Sequence, residues 1–201
     1  MASLSRTTLL GVTRRVGILG GTFDPPHIGH LAAAVCCRDA LGLDEVRLTV
    51  ANDPWQKSGH RVVTAAEHRL AMVRLAVEGL DGLEAWDVEM RRGGPSYTVE
   101  TIEDLPDSAI QPILIVGADA ASGLDTWHRA DELAELVEVA VVARSSDAAV
   151  PAGWKSTLVD MPRIDVNSSE LRSRPVLGRS LDVFVPAAVV TYIQRHDLYS
   201  R

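Results

Sequence analysis

The chain has few cysteines and few aromatic residues, and each shortage excludes a class of protein. Its only two cysteines, Cys36 and Cys37, are adjacent, so they cannot join distant segments through a disulfide. We therefore expect free thiols, buried or half-buried, in a reducing compartment, and no metal site built on cysteine. Aromatic residues make up 4% of the chain, so any that lie beside loop glycines are candidates for a ligand site.

Positive charge is also scarce. The 27 acidic residues outnumber the 20 basic ones, which gives a formal net charge of −7, and only Lys57 and Lys155 are lysines. Proteins that bind nucleic acid normally present a basic face. The balance predicts no nucleic-acid partner, but it is compatible with a small anionic ligand held by a few well-placed groups.

Long hydrophobic runs and internal repeats are absent. No apolar run approaches the roughly 18 residues of a membrane span, so no membrane partner is expected. With 201 residues, 46% of them hydrophobic, the chain suits one α/β domain. We expect residues 1–14, which lack an acid, to be a flexible extension and residues 15–201 to form the domain of a soluble cytoplasmic protein, with a homo-oligomer possible.

Short apolar strands alternate with helices along this domain. The predicted strands are residues 16–19, 45–51, 83–88, 112–116, 137–143 and 156–160. The predicted helices are residues 28–41, a segment that starts from a capping box at 64–67 and extends to 77, a segment that opens after the loop at 91–96 and extends to 105, and residues 129–136, 168–174 and 186–195. This alternation predicts a doubly wound parallel sheet with helices on both faces, whose ligands bind beyond the carboxyl ends of the strands.

The strongest motif lies between the first strand and the first helix, and it reads Gly20-Gly21-Thr22-Phe23-Asp24-Pro25-Pro26-His27-Ile28-Gly29-His30. Its glycines let a ligand approach the backbone, and free amides at a helix start favour an anion. The two histidines are one helical turn apart, so both imidazoles can face a phosphoryl group and donate hydrogen bonds to it. The alternatives are an ordinary strand–helix turn and a zinc pair, although no third ligand lies nearby in sequence.

A second polar segment precedes the predicted helix at 168–174. It reads Val166-Asn167-Ser168-Ser169-Glu170-Leu171-Arg172. Hydroxyls, amides and an arginine at one helix start suit a triphosphate. The plain alternative is a helix N-cap formed by Ser168 or Ser169, with Arg172 solvated.

These two segments resemble the signatures of the nucleotidyltransferase superfamily, which has a (His/Thr)-x-Gly-His motif and an Ile-Ser-Ser-Thr-x-x-Arg motif. Asn167 and Ser169 depart from the second motif but keep a polar side chain. Within the superfamily, three further segments are similar to bacterial nicotinate-nucleotide adenylyltransferases. These segments are Ser96-Tyr97-Thr98-Val99-Glu100-Thr101, Gly117-Ala118-Asp119 followed by Trp127-His128, and the C-terminal part from Val185-Pro186 through Tyr192-Ile193 and from His196 to Tyr199.

The resemblance implies a Rossmann-like fold and the transfer of AMP from ATP to nicotinate mononucleotide, a step of NAD biosynthesis that releases pyrophosphate. It implies that His27 and His30 are catalytic and that Mg²⁺ arrives with ATP rather than in a metal site of the protein. The ATP-binding residues would be Gly20, Gly21, Thr22, Phe23, His27, His30, Gly117, Ser168, Ser169 and Arg172. The mononucleotide-binding residues would be Lys57, Ser96, Tyr97, Thr98, Asp119 and Trp127.

The side chains on the mononucleotide side fit these roles on physical grounds. Trp127 can stack on a pyridine ring, and the hydroxyls of Ser96 and Thr98 can bind its carboxylate. Asp119 follows a strand-end glycine, where a carboxylate can accept hydrogen bonds from ribose. Each residue also has a plainer interpretation: core packing for Tyr97 and Trp127, a helix cap for Asp119 and a solvated loop for Lys57.

Two other functions remain open at this point. The same chemistry could use nicotinamide mononucleotide, whereas 4′-phosphopantetheine is disfavoured because the enzymes that use it lack the Ser-Tyr-Thr and Trp-His segments. A non-catalytic nucleotide-binding paralogue is the alternative from a different class. The retained histidines and Arg172 argue against such a paralogue.

Overall fold

A six-stranded, fully parallel sheet forms the centre of the molecule. The computed structural model describes residues 13–53, 63–143 and 150–200. Its strands are β1 (Arg14–Gly21), β2 (Glu45–Val50), β3 (Leu83–Trp86), β4 (Ile110–Gly117), β5 (Glu138–Ala143) and β6 (Ser156–Asp160). They lie side by side in the order β3-β2-β1-β4-β5-β6. The order therefore reverses between β1 and β4, and this is the position at which such sheets bind ligands.

Helices connect these strands and cover both faces of the sheet. They are α1 (Ile28–Leu41), α2 (Ala66–Val77), α3 (Val88–Arg92), α4 (Thr98–Glu103), α5 (Ala118–Ala121), α6 (Ala130–Leu136), α7 (Ser168–Val176) and α8 (Ala187–Arg195), with a 3₁₀ helix at Leu124–Thr126. The predicted doubly wound α/β fold is confirmed.

The alternation of side chains along each strand feeds two cores, one on each face. Leu19 of β1 packs with Ala34 and Cys37 of α1 and with Val73 of α2. On the opposite face, Ile18 packs in a cluster with residues of α4, α5 and α6. Both faces of the strands are apolar because both are covered, as expected for a parallel sheet.

A third core joins the C-terminal part of the chain to α2. Met72 and Ala76 of α2 pack there with Leu171 of α7 and Val189 of α8, and Tyr199 packs against its edge. This cluster places α7 and the chain end beside the loop that follows β1. Cys37 is buried, Cys36 is partly buried and both are free, as predicted.

Several predicted details are wrong at element ends. The strand that starts at Leu83 ends at Trp86, and Val88 begins the helix α3, which the sequence analysis missed together with α5. The capping box at 64–67 does not form: Ala65 is the N-cap of α2, and no side chain caps it. Arg14, assigned above to the extension, is the first residue of β1 and pairs with Ile110 of β4. Residues 1–12, 54–62, 144–149 and 201 lie outside the described residues.

Candidate active site

One cleft runs along the carboxyl ends of the strands and consists of two adjoining cavities. The smaller cavity has a volume of about 390 Å³ and extends towards Ser96, Tyr97, Thr98 and Trp127. The larger one, of about 1020 Å³, extends towards His27, Asp119, Ser168 and Ser169. Both volumes suit small-molecule ligands. The residues that line both cavities include Gly20, Gly21, Thr22, His30 and Gly117.

The histidine pair lies at the start of α1, with the two rings stacked. Their centroids are 3.7 Å apart, and the edge of the Phe23 ring meets His30 at 4.9 Å. Nδ1 of His30 accepts a hydrogen bond from the backbone N–H of His27 at 3.2 Å. The neutral His30 ring therefore carries its proton on Nε2, which makes that atom a hydrogen-bond donor.

His27 is an uncharged ring at neutral pH in the ligand-free protein. Its side chain is buried, with 6% exposure, and desolvation by burial lowers its pKa from 6.5 to about 4. His27 therefore carries no positive charge in the free state. A bound triphosphate would favour the protonated ring, because a nearby negative charge raises the pKa of an imidazole.

The free amides expected at the start of α1 are largely occupied. The N–H of Ile28 donates to the carbonyl of Phe184 at 2.9 Å, and that of His27 is bound to His30. Fewer backbone N–H groups are therefore available to bind an anion, and the two imidazoles are the main donors at this helix start.

Glycines leave the floor of the cleft open. A Cβ atom at Gly20 or at Gly117, on the adjacent strands β1 and β4, would meet no atom within 4 Å. Both residues line both cavities, so the space beside them belongs to the cleft. Gly29 has a different role, because a Cβ there would lie 3.1 Å from Nδ1 of His27 and would displace the imidazole. Gly21 likewise accommodates the ring of Phe23, which is 3.0 Å from the position of its Cβ.

Asn167 caps α7, and this leaves the two serines for other contacts. Its Oδ1 accepts a hydrogen bond from the N–H of Glu170 at 2.8 Å, so neither Ser168 nor Ser169 is the N-cap. Ser168 donates to the carbonyl of Pro25 at 3.1 Å, which ties α7 to the loop after β1. Arg172 does not line either cavity directly. It donates to the hydroxyl of Ser169 at 3.0 Å and is 17% exposed, so it is not a solvated side chain.

The smaller cavity is lined by two aromatic residues, Tyr97 and Trp127. Tyr97 stacks on His128, with the centroids 4.1 Å apart, and both Tyr97 and Trp127 pack partly against the core beneath. Core packing and lining of the cleft are thus combined in the same two residues. Thr98 begins α4 beside them.

Two predicted ligand residues need separate comment. Asp119 lines the larger cavity, as Ser168 and Ser169 do, rather than the smaller cavity that Tyr97 and Trp127 line. Lys57 lies outside the described residues, and its predicted contact with a phosphate stays a prediction.

Glu89 is a buried carboxylate of the smaller cavity that the sequence analysis missed. Its Oε1 accepts a hydrogen bond from the hydroxyl of Thr101 at 2.7 Å, and the hydroxyl of Ser96 also donates to it. Ser96 in turn accepts a hydrogen bond from the N–H of Asn52 at 2.9 Å. Burial raises the pKa of Glu89, although these hydroxyls oppose the shift. No sequence motif marks Glu89, Ser96 and Thr101 as neighbours. Glu89 was not predicted because the helix α3, which brings it to the cavity, was not predicted either.

Arg69 is a second residue that the sequence analysis missed. Only 1% of it is exposed, and its guanidinium donates to the backbone carbonyls of Thr22, Ala51, Asn52 and Thr64. It therefore holds the loops that follow β1 and β2 in fixed positions. The sequence contained one signal of this role: Arg69 is next to Leu70, on the face of α2 that packs against the core.

No metal centre emerges from these side chains. Within residues 13–53, 63–143 and 150–200, no group of three or more His, Cys, Asp and Glu residues could hold a metal ion. None of the helices in the same ranges is long and apolar enough to cross a membrane.

Comparison with known proteins identifies the family. The cytidylyltransferase-like family model matches residues 18–174. The chain is 39% identical over 198 residues to the probable nicotinate-nucleotide adenylyltransferase of Gemmatimonas aurantiaca, and the match covers 92% of each chain. It is also 39% identical over 191 residues to the protein of the same name from Exiguobacterium sibiricum, with 92% of this chain and 99% of that one covered. The chain belongs to the nicotinate-nucleotide adenylyltransferases.

The fold agrees with this membership. The Plasmodium falciparum nicotinic acid mononucleotide adenylyltransferase complexed with NaAD superposes with a TM-score of 0.74 at 17% identity, over 92% of this chain and 97% of that one. The same protein complexed with APC gives a TM-score of 0.72. At this identity the likeness concerns the fold alone. For this adenylyltransferase, the family, the fold and the enzyme class predicted from the sequence are confirmed.

Proposed function

We propose that the two-part cleft transfers AMP from ATP to nicotinate mononucleotide. An oxygen of the mononucleotide 5′-phosphate attacks the α-phosphorus of ATP and forms the new P–O bond. The bond from the α-phosphorus to the oxygen that bridges to the β-phosphorus breaks, and its electron pair leaves with pyrophosphate. The products are nicotinate adenine dinucleotide and pyrophosphate, and no covalent enzyme intermediate is formed.

The observation that carries this proposal is the position of His30. It lines both cavities, so a nucleotide in the smaller cavity and one in the larger cavity can meet beside its ring. Phosphoryl transfer depends mainly on alignment of the reactants and on neutralisation of the charge that accumulates on the phosphoryl oxygens. A hydrogen-bond donor at the meeting point serves both needs.

The larger cavity would hold ATP. His27 and His30 would bind the oxygens of the α-phosphate, and Ser168, Ser169 and Arg172 would bind the β- and γ-phosphates. The backbone from Gly20 to Phe23 and the surface at Gly117 would accommodate the adenosine, with Asp119 accepting hydrogen bonds from ribose. Mg²⁺ would enter as part of the Mg·ATP substrate, coordinated largely by phosphate oxygens and water, as this ion prefers.

The smaller cavity would hold the mononucleotide. The pyridine ring would stack against Trp127 and lie near Tyr97, and the hydroxyl of Thr98 would bind the ring carboxylate. Ser96 would act indirectly, because its hydroxyl is already bound to Glu89 and Asn52 and fixes the turn that precedes Tyr97. Lys57 would reach a phosphate of the assembled substrates. We propose that the protein acts in the cytoplasm, a reducing compartment in which the free thiols of Cys36 and Cys37 persist.

The test is a steady-state assay of pyrophosphate release with Mg·ATP and nicotinate mononucleotide. His30→Ala removes the shared donor, so kcat should fall by about 10²- to 10³-fold. The matched control is His196→Ala, because His196 lies at the end of α8, near His68 and Tyr192 and away from the cleft. Equal activity of the His30→Ala variant and the wild type would overturn the role given to His30.

A second measurement decides between the acid and the amide substrate. The kcat/KM values for nicotinate and nicotinamide mononucleotide are compared on one preparation. We expect the acid to be preferred by at least tenfold, the equivalent of about 1.4 kcal/mol. Preference for the amide would reassign the substrate, and tight ATP binding without turnover of either would make the protein a nucleotide-binding paralogue.

A further inference from the structure

The carboxylate of Asp24 is almost fully buried beside the larger cavity. It lies in the loop between β1 and α1, and 1% of the residue is exposed. A buried carboxylate is costly unless donors surround it. One next to a proposed triphosphate site also adds negative charge where the ligand is negative, so its role requires an explanation.

Three segments supply groups that balance this carboxylate. The hydroxyl of Tyr199, near the chain end, donates to Oδ1 at 2.7 Å. The N–H of Thr64, ahead of α2, donates to Oδ2 at 3.4 Å. The guanidinium of Arg172 in α7 lies 4.0 Å from Oδ2 and donates to the backbone carbonyl of Asp24 at 2.7 Å.

Tyr199 is suited to a permanent role as a donor. Burial, reinforced by the adjacent Asp24, raises the pKa of its phenol above the usual value, so the hydroxyl keeps its proton throughout the physiological range. The hydrogen bond to Asp24 therefore fixes one carboxylate oxygen, and the other oxygen, which accepts from the N–H of Thr64, lies 4.0 Å from the guanidinium of Arg172.

Arg172 connects this pair to the cleft. Its second terminal nitrogen donates to the hydroxyl of Ser169, which lines the larger cavity. A continuous series of contacts therefore links Tyr199 through Asp24 and Arg172 to Ser169.

We propose that Tyr199 and Asp24 are positioning residues for the triphosphate half of the site: they fix Arg172 and Ser169 before ATP binds. This inference rests on the proposed function for the identity of the ligand. It assigns a role to the C-terminal tyrosine, which is remote from the cleft in sequence and does not line either cavity. Loss of the phenol hydroxyl should weaken the binding of ATP and leave the affinity for the mononucleotide unchanged, because none of these contacts reaches the smaller cavity.

The test measures the dissociation constants of Mg·ATP and of nicotinate mononucleotide by calorimetry for wild type, Tyr199→Phe and Tyr192→Phe. Tyr192 is the matched control, because its hydroxyl also hydrogen-bonds a titratable side chain, Nδ1 of His68 at 2.9 Å, but away from the cleft. Tyr199→Phe should weaken ATP binding roughly tenfold, as expected for a lost hydrogen bond to a charged group. The mononucleotide constant should change less than twofold, and Tyr192→Phe should change neither constant.

A double-mutant cycle separates positioning from general destabilisation. Asp24→Asn keeps the side-chain shape, and its effect on ATP binding should not add to that of Tyr199→Phe, because both act through Arg172. An unchanged ATP constant in Tyr199→Phe, an equal loss for both ligands, or full additivity would each overturn the inference. The proposed function is tested separately: wild-type protein that binds ATP but releases no pyrophosphate would refute the reaction and leave the positioning result standing.

Discussion

His27 shows at the level of a single residue how burial changes the chemistry of a motif. The spacing of His27 and His30 predicted two rings at one point, and the rings do stack. Desolvation by burial also lowers the pKa of His27 to about 4, so that ring is neutral at pH 7. The sequence contains the spacing of the histidines but not the depth at which the loop places them.

The buried imidazole makes the stability of the fold depend on pH. The unfolded chain binds a proton at His27 near pH 6.5, and the folded chain binds it only near pH 4. Acid therefore favours the unfolded state. The contribution of His27 to the stability of the fold is fully present above pH 6.5 and is lost as the pH falls towards 4. This one group should lower the free energy of unfolding by about 3 kcal/mol over that interval.

Urea unfolding of wild type and His27→Gln at pH 7 and pH 4.5 measures this contribution. The loss of stability on acidification should be smaller in the variant than in wild type by most of that amount, since glutamine does not titrate. Equal losses in the two proteins would contradict the assignment of the pH dependence to His27.

The glycines of β1 provide a second prediction at the level of residues. A Cβ at Gly20 would occupy only the open cleft, whereas one at Gly17 would lie 2.9 Å from side-chain atoms of Ile115 and Leu43. Gly20→Ala should weaken ATP binding with little change in stability. Gly17→Ala should cost about 1–3 kcal/mol of stability through overpacking. Denaturant unfolding and ATP calorimetry on both variants check the contrast, and a stable Gly17→Ala or a tightly binding Gly20→Ala would contradict it.

At the level of elements, the long periodic segments were predictable and the short connections were not. Helix α1 has the predicted bounds, Ile28–Leu41, because an apolar run rich in alanine ends at Gly42. Val88, the first residue of α3, was assigned to the preceding strand because it is apolar, and Arg91 and Arg92 were assigned to a loop. Five residues are too few for a periodic pattern, and tertiary contacts decide the conformation.

The start of α2 was mispredicted for a related reason. Thr64 and Glu67 match a capping box in sequence, but the backbone of Thr64 is engaged elsewhere: its N–H contacts Asp24 and its carbonyl accepts from Arg69. These partners come from distant or buried positions that local patterns do not reveal. The residues that position the site, Arg69 and Glu89, escaped prediction for the same reason.

Arg69 supports the prediction that belongs to this scale. Arg69→Met would leave four carbonyl oxygens of the cleft loops without their donor, which should cost about 3 kcal/mol or more of stability and weaken the binding of both nucleotides. Arg74→Met on the same helix is the control, because Arg74 is exposed and pairs with Asp87 at 3.4 Å, a contact worth at most about 1 kcal/mol. Comparable unfolding free energies for the two variants would contradict the role given to Arg69.

For the whole molecule, the shortage of basic residues does not exclude a negatively charged ligand, because the positions of a few side chains matter more than the net charge. A net charge of −7 is compatible with a phosphate ligand because His27 and His30 line the cleft and Arg172 is linked to it through Ser169. The doubly wound parallel sheet that creates this cleft was predictable from the alternation of strands and helices, whereas the order of its strands was not predicted. The coupling of the C-terminal residues to the loop after β1 was not predictable, since it depends on the packing of the third core.

We expect the activity of the enzyme to depend on a divalent cation, and we expect the stability of its fold not to depend on one. Because the cation would enter with ATP, EDTA should abolish pyrophosphate release and added Mg²⁺ should restore it. The thermal midpoint of the ligand-free protein should not change with EDTA. A midpoint lowered by EDTA would instead indicate a structural metal site.

The most direct measurement is a crystal structure with nicotinate adenine dinucleotide, the proposed product, bound. One molecule should span both cavities, with its pyridine ring against Trp127, its pyrophosphate beside His27 and His30, and its adenosine over Gly20 and Gly117. A dinucleotide that occupied only one cavity, or that placed its pyrophosphate away from His30, would contradict the assignment of the cleft as the site where the two nucleotides are joined.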